Sequence, residues 1–186
     1  MGFEVVSLDL KNADININIL DWDYKIYPPE YFDFVWSSPP CTEYSKAKTT
    51  GIRNIEYANT IVLKTIEIIE YLKPKYYIIE NPQTGLLKQQ SFMNNFPYND
   101  IDYCKYGMLY RKRTRLWNNL TNWIPKPLCN KDCGNMENNR HKETAQRMPS
   151  GKKEQWGNQR VYKQDELYII PEMLILEIFQ SIVDTT

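Results

Sequence analysis

Apolar positions follow two different periods in the first half of this chain. Val5, Val6 and Leu8 make residues 4–9 a short apolar run that predicts a mostly buried strand ending on Asp9. Phe32, Phe34, Val35 and Trp36 predict a second strand over residues 32–37, stopped by Pro39 and Pro40. The period then becomes helical. Val62, Ile66, Ile69 and Leu72 share one face of residues 60–72, and Lys73-Pro74 closes that helix. Residues 76–80, rich in aromatic and β-branched side chains, predict a third strand that ends on Glu80 and is followed by Asn81-Pro82. Strand, helix and strand at this spacing imply a crossover unit, hence an α/β fold with a mostly parallel sheet.

The pattern is lost between residues 118 and 164. That stretch is polar, rich in Asn, Lys, Gly and Pro, and too long for an ordinary loop. It reads as a small insertion ordered by a ligand or a metal. Periodicity returns in residues 171–182, where Pro171 suits a first helical position. Leu174, Ile178 and Ile182 form the apolar face of this last helix, widened by Leu176 and Phe179. The expected organisation is a core over 1–117, an insertion over 118–164, and a helix within 165–186 that packs back on the core.

Composition narrows the class. The chain has 186 residues, 42% hydrophobic and 25% charged, which is globular and excludes a mainly disordered or collagen-like polymer. Lys plus Arg and Asp plus Glu are 23 each, so a general polycation that coats nucleic acid is excluded. A local basic run remains at Arg111-Lys112-Arg113-Thr114-Arg115. No stretch approaches the ~18 consecutive apolar residues of a membrane span. An intracellular protein, in the cytoplasm or a host nucleoid, is expected. Its four cysteines, Cys41, Cys104, Cys129 and Cys133, are then expected to be reduced thiols.

In open parallel sheets, ligands bind beyond the carboxyl ends of the strands. Three endings fall there: Asp9, Ser38-Pro39-Pro40-Cys41, and Glu80-Asn81-Pro82. Cys41, on a backbone stiffened by two prolines, suits a nucleophile, although a small buried hydrophobe would also account for it. Glu80 suits hydrogen bonding to a substrate ring nitrogen, or alternatively a salt bridge. Asp9 suits a ribose, or simply ends its strand. Arg111, Arg113 and Arg115 would share a side if extended, fit for phosphate or carboxylates, or form a solvated basic edge. Cys129-x3-Cys133 with His141 offers three zinc ligands, and Cys104 a fourth if the fold brings it near. Two thiols and a surface imidazole are the plainer alternative.

Together these endings resemble the cytosine-5 DNA methyltransferase family. Its Pro-Cys motif resembles residues 38–45, Ser-Pro-Pro-Cys-Thr-Glu-Tyr-Ser. Its Glu-Asn-Val motif resembles Glu80-Asn81-Pro82. Its Gln-x-Arg-x-Arg motif, preceded by Tyr-Gly, resembles Tyr106-Gly107 followed by Arg111, Arg113 and Arg115. The resemblance covers residues 3–117, with three motifs in order. It implies a Rossmann-like methyltransferase fold and S-adenosylmethionine as cofactor. It also implies DNA with a cytosine flipped out of the stack as partner. Cys41 would add to carbon 6 of the base. Glu80 would contact ring nitrogen 3 and the amino group, with Arg113 and Arg115 nearby. Asp9 would hold the cofactor ribose, with Asn18, Asp21 and Pro39 also at the cofactor. Ser45, Asn81 and Arg111, inside the matched motifs, would face the substrate.

The chain departs from the family pattern at several points. The glycine-rich first motif should precede Gly2, which points to an N-terminally truncated form of the fold. The Asp-Ile motif falls on Asn18-Ile19, and Pro82 replaces a valine. The segment available to read a target is small. An RNA substrate of the same chemistry, or a catalytically silent nucleic-acid-binding remnant, are the alternative expectations. The abundance of Asn, Ile, Lys and Tyr suggests an AT-rich viral or phage genome.

Overall fold

A computed structural model describes residues 2–145 and 162–183. It divides into two compact units, residues 1–81 with 85–96 and residues 82–84 with 97–186.

The first unit holds β1 (Leu8–Asp9), β2 (Ile15–Asn16), β3 (Phe34–Ser37), α1 (Ile55–Leu72) and β4 (Tyr76–Pro82). Two parallel pairings order it: Leu8 opposite Ile15 in the first, and Phe34 opposite Tyr76 through Ser37 opposite Ile79 in the second. The helix α1 starts at residue 55, ahead of the expected 60. The Asn54 side chain accepts the Tyr57 N–H at 3.0 Å, satisfying one of the orphan donors of the first turn. Lys73 ends it in a left-handed conformation, φ 47°, immediately before Pro74. Val62, Ile66, Ile69 and Leu72 are buried, as their spacing requires. Ile68 and Leu72 pack in a cluster with Tyr24, to which Ile19, Trp22, Tyr27, Phe32 and Tyr71 add aromatic and aliphatic surface. The Tyr24 hydroxyl donates to Glu67, which pushes the phenol up to about 12.

One expected element is corrected here. Residues 4–9 do not form a mostly buried strand. Only Leu8–Asp9 pair, Val5 is 75% exposed, and Phe3 and Val6 are exposed as well. An apolar, β-branched run is buried only where another surface covers both faces. Here a polar clamp orders the neighbouring turn instead. Asp14 accepts from the Ser7 N–H and hydroxyl at 2.8 and 2.6 Å, which also holds its carboxyl below the usual range.

The second unit is built on an antiparallel pair, β5 (Tyr98–Asp102) and β6 (Arg113–Asn118). A 3-10 turn, Tyr103–Tyr106, follows β5 and ends at Gly107, φ 95°. A small hairpin, β7 (Met136–Glu137) and β8 (Arg140–His141), turns through Asn138 and Asn139, both at positive φ. Two helices follow, α2 (Gln164–Tyr168) and α3 (Glu172–Val183), the second within one residue of its expected bounds. Leu174 and Ile178 are fully buried, with Ile101, Tyr103, Tyr110, Leu116 and Trp117 also in this unit's core. Part of the polar insertion, residues 146–161, lies outside the described residues.

The α/β class therefore holds, but the described strands are mixed. The first unit pairs in parallel and the second antiparallel. No helix among the described residues is long and apolar enough to cross a membrane.

Candidate active site and metal centre

In the first unit, β3 and β4 run parallel, so their exits lie on one edge. Register puts Ser37 opposite Ile79. Beyond that pair Ser38 to Cys41 leave β3, while β4 itself continues through Glu80 and Asn81 to Pro82. Asn81 ties the end of β4 to the turn after β3: fully buried, it donates through Nδ2 to the Pro39 carbonyl at 2.9 Å. Its Oδ1 is buried without a hydrogen-bond partner among the described residues. Glu80 is buried at 7% exposure, and Cys41 is half-buried and in no disulfide. Asn81 and Pro39 are thus in contact, with Glu80 just before the one and Cys41 two residues after the other in the chain.

The loop after Cys41 is held by a residue that sequence reasoning missed. Arg53 Nη1 donates to the carbonyls of Glu43 and Ser45 at 2.9 and 2.7 Å, and Nη2 donates to that of Lys48 at 2.8 Å. Glu43 adds an ion pair with Lys48 at 2.6 Å and accepts the Asn54 N–H at 2.7 Å. These partners, Lys48 foremost, hold its carboxyl below the usual range. Tyr44 is fully buried. Its hydroxyl donates to Asn59 at 2.7 Å, and its carbonyl accepts the Leu86 N–H at 2.9 Å. The Ser45 hydroxyl accepts the Ala47 N–H at 3.2 Å, a turn-forming bond within the loop. A lone arginine before a helix gives no sign in sequence that three carbonyls converge on it.

The expected cofactor residues occupy turns of the same unit. Asp9 ends β1 with an exposed side chain, one oxygen accepting the Leu10 N–H at 2.6 Å. Asn18 accepts the Leu20 N–H through its side chain at 3.0 Å and the Asp21 N–H through its carbonyl at 2.9 Å. Asp21 is exposed beside half-buried Trp22.

The basic run of the second unit is a paired strand. Arg113 faces Asp102 through two bonds, Nε to Oδ1 at 3.0 Å and Nη2 to Oδ2 at 2.7 Å. Arg115 faces Asp100 in the same way, at 2.7 and 2.9 Å, and its guanidinium lies 3.5 Å above the Tyr98 ring. The side chain of Asp102 is fully buried, and that of Arg113 is 30% exposed. These carboxylates raise the pKa of both arginines, so their charge is permanent. Arg111 lies outside the strand and is exposed. The available signal was two acids and two arginines each at spacing two, which in neighbouring strands align as cross-strand pairs.

In the same unit, Cys104, Cys129, Cys133 and His141 converge, their ligand atoms all within 4.8 Å of one another. Cys104 sits on the 3-10 turn after β5, and His141 on β8. Lys131 and Gly134, at φ 64° and 76°, bend the backbone around Cys133. His141 Nε2 lies 3.5 Å from Cys129 Sγ. Burial pushes the Cys104 thiol strongly up. Burial also works against the Cys129 thiolate, but hydrogen bonds from Cys104 and Cys133 outweigh it and bring that thiol below its usual range. Burial, then the Arg111 charge, holds the His141 imidazole below its usual pKa. The cluster includes the fourth residue that spacing alone left conditional.

Comparison with known proteins places this geometry. The family model for C-5 cytosine-specific DNA methylase matches residues 8–108. A curated protein of Frog virus 3 (isolate Goorha), named "Probable DNA (cytosine-5)-methyltransferase", is 39% identical over 153 residues, covering 74% of this chain and 71% of that one. Among solved structures, a candidate DNA modification methyltransferase encoded within an E. coli prophage is 12% identical. That alignment covers 62% of this chain and 38% of the other, at a TM-score of 0.42, which carries no argument about the fold. The matched residues include the Pro39–Cys41 turn, Glu80 and Asn81, and on this match the chain belongs to the C-5 cytosine-specific DNA methylase family.

Proposed function

We propose that this chain methylates carbon 5 of cytosine in DNA through a covalent adduct at Cys41. The observation that supports the reading is the bond from Asn81, next to buried Glu80 on β4, to the Pro39 carbonyl in the turn that carries the half-buried Cys41. A duplex hides its bases, so the target cytosine must leave the stack, at a cost of a few kcal/mol. Cys41 then adds as thiolate to carbon 6, forming a sulfur–carbon bond while the ring electrons shift toward carbon 5. Glu80 hydrogen-bonds ring nitrogen 3 and the amino group, which favours the protonated ring and makes carbon 6 more electrophilic. Arg113 and Arg115, each held by a carboxylate of β5, would offer their remaining N–H donors to the base and its phosphates. Arg111, Ser45 and Asn81 line the substrate side.

S-adenosylmethionine supplies an electrophilic methyl group when bound. Asp9, Asn18, Asp21 and Pro39 would hold it, Asp9 through the ribose hydroxyls. After substitution at carbon 5, loss of the carbon 5 proton expels the Cys41 thiolate and restores the ring.

The same reading makes the fold a Rossmann-like methyltransferase. Residues 1–117 form its catalytic core, 118–164 a small target-recognition region, and 165–186 a helix returning to the core. A structural zinc on Cys129, Cys133 and His141 would order the recognition region, since metal binding energy there becomes folding energy. Thiolate chemistry and four cysteines outside any disulfide suit a reducing compartment such as the cytoplasm.

Covalent trapping tests the reading. Duplex DNA carrying 5-fluorocytosine cannot release a proton from carbon 5, so an adduct persists on a denaturing gel. A shifted band that needs S-adenosylmethionine and vanishes in Cys41→Ser is expected. Folded protein that gives no band on DNA overturns the reading, and a band on RNA alone moves the substrate to RNA.

A further inference from the structure

A tetrahedral zinc site has a fixed size. Zn–S bonds of about 2.3 Å and Zn–N bonds of about 2.05 Å set neighbouring S···S edges near 3.8 Å and S···N edges near 3.5 Å. The His141–Cys129 edge is 3.5 Å, and all four ligand atoms fall within 4.8 Å of one another. Three thiols and one imidazole drawn from three separate segments, two of the thiols buried, match the donor set of a closed structural site. The three expected ligands alone would leave an open position. Cys104 closes it, and it comes from the core turn after β5 rather than from the insertion.

That placement has a structural output. Asp102 lies two residues before Cys104 and is buried. Its Oδ2 accepts the Cys129 N–H at 3.0 Å as well as Arg113 Nη2 at 2.7 Å, while Oδ1 accepts Arg113 Nε at 3.0 Å. One carboxylate thus joins the backbone of a metal ligand to the Arg113 guanidinium. We propose that Cys104, Cys129, Cys133 and His141 form a complete four-ligand zinc centre, and that Asp102 is a positioning residue through which this centre orients Arg113. The second half rests on the role given to Arg113 above. The metal fixes residues 104 and 129 relative to each other. Asp102 is then held by a rigid donor on one side and presents both oxygens to Arg113 on the other. Without the metal, the Cys129 N–H is no longer held against Asp102, and the guanidinium loses its fixed orientation.

The test uses the purified full chain. Metal analysis is expected to give one zinc per chain in the parent and in Cys41→Ser. Replacement by Co2+ is expected to give the strong visible bands of tetrahedral thiolate coordination. Cys104→Ser and Cys133→Ser should lose most of the metal. Folded parent protein with no bound zinc and no such cobalt bands overturns the site, even if the serine variants prove insoluble. A cobalt spectrum unchanged in Cys104→Ser overturns the fourth ligand.

Asp102→Asn is expected to keep one zinc per chain and an unchanged KM for DNA while kcat falls about 10- to 100-fold. Asp102→Glu should recover part of the loss. A kcat within threefold of the parent overturns the positioning role. Zinc bound to a parent that traps no nucleic acid upholds the metal site and sinks the methyl-transfer reading. Active but zinc-free protein does the reverse.

Discussion

Arg53 organises the loop that carries Cys41, and its replacement gives a worked prediction. Arg53→Ala removes three charge-assisted hydrogen bonds to the carbonyls of Glu43, Ser45 and Lys48. Bonds to charged groups contribute about 1.5–3 kcal/mol each, but Arg53 is half-buried and water can replace it at the carbonyls. About 1 kcal/mol each is the appropriate discount, or about 3 kcal/mol for the ordered loop. At 1.4 kcal/mol per factor of ten, the ordered form loses about 100-fold against open forms. Much of that should appear in the rate of 5-fluorocytosine trapping, because a misplacement of about 1 Å at a nucleophile can itself cost 100-fold. A slowing of about 10- to 100-fold is expected. Melting should change little, since the loop opens locally. Arg53→Lys keeps the charge but cannot span three carbonyls with one planar fork, so it should fall between alanine and the parent. Trapping by Arg53→Ala within threefold of the parent would refute the reasoning: the loop would then be held by the Glu43–Lys48 pair and the Tyr44 anchor alone.

Further outcomes follow from the second unit. Leu174→Ala empties a fully buried position on α3 and should cost about 3 kcal/mol, lowering Tm by about 6–12 °C for a chain of this size. A shift under 2 °C would show that α3 does not seal this core. His141 has its pKa lowered by burial, then by Arg111, with Asp102 opposing. In metal-free protein, stability is therefore full above the ordinary histidine value of about 6.5 and falls as pH drops below it, because only the unfolded chain takes up the proton there. Denaturant titrations between pH 7.5 and 5 should show this decline in the parent and lose it in His141→Gln. Equal slopes in both would assign the decline to other groups.

The extent to which sequence is enough differs between elements. The α1 face was legible because Val62, Ile66, Ile69 and Leu72 recur at the helical period, and a helix with one apolar stripe has one way to bury it. Its start was not, because Asn54 caps through its side chain ahead of the first apolar repeat. Residues 4–9 show the opposite failure. Their composition favours a buried strand, yet β-branched residues are buried only when something covers them, which a local pattern cannot state.

The candidate site divides along the same line. The order of residue types alone determined the turn that carries Cys41, the acid and amide at the next strand end, the arginine spacing, and two of the cysteines with the histidine. These are local facts, carried by stiff prolines, strand endings and short separations. Only the tertiary structure decided the long-range partners. Asn81 reaches Pro39 across 42 residues, and Cys129 meets Asp102 across 27. Arg53 gathers three carbonyls of its loop, and Cys104 joins Cys129, Cys133 and the His141 of the β7–β8 hairpin. Each of these contacts is set by strand register and by backbone turns such as Lys131, Gly134 and the Asn138–Asn139 pair. Register is a property of two paired segments, so neither segment's sequence contains it alone.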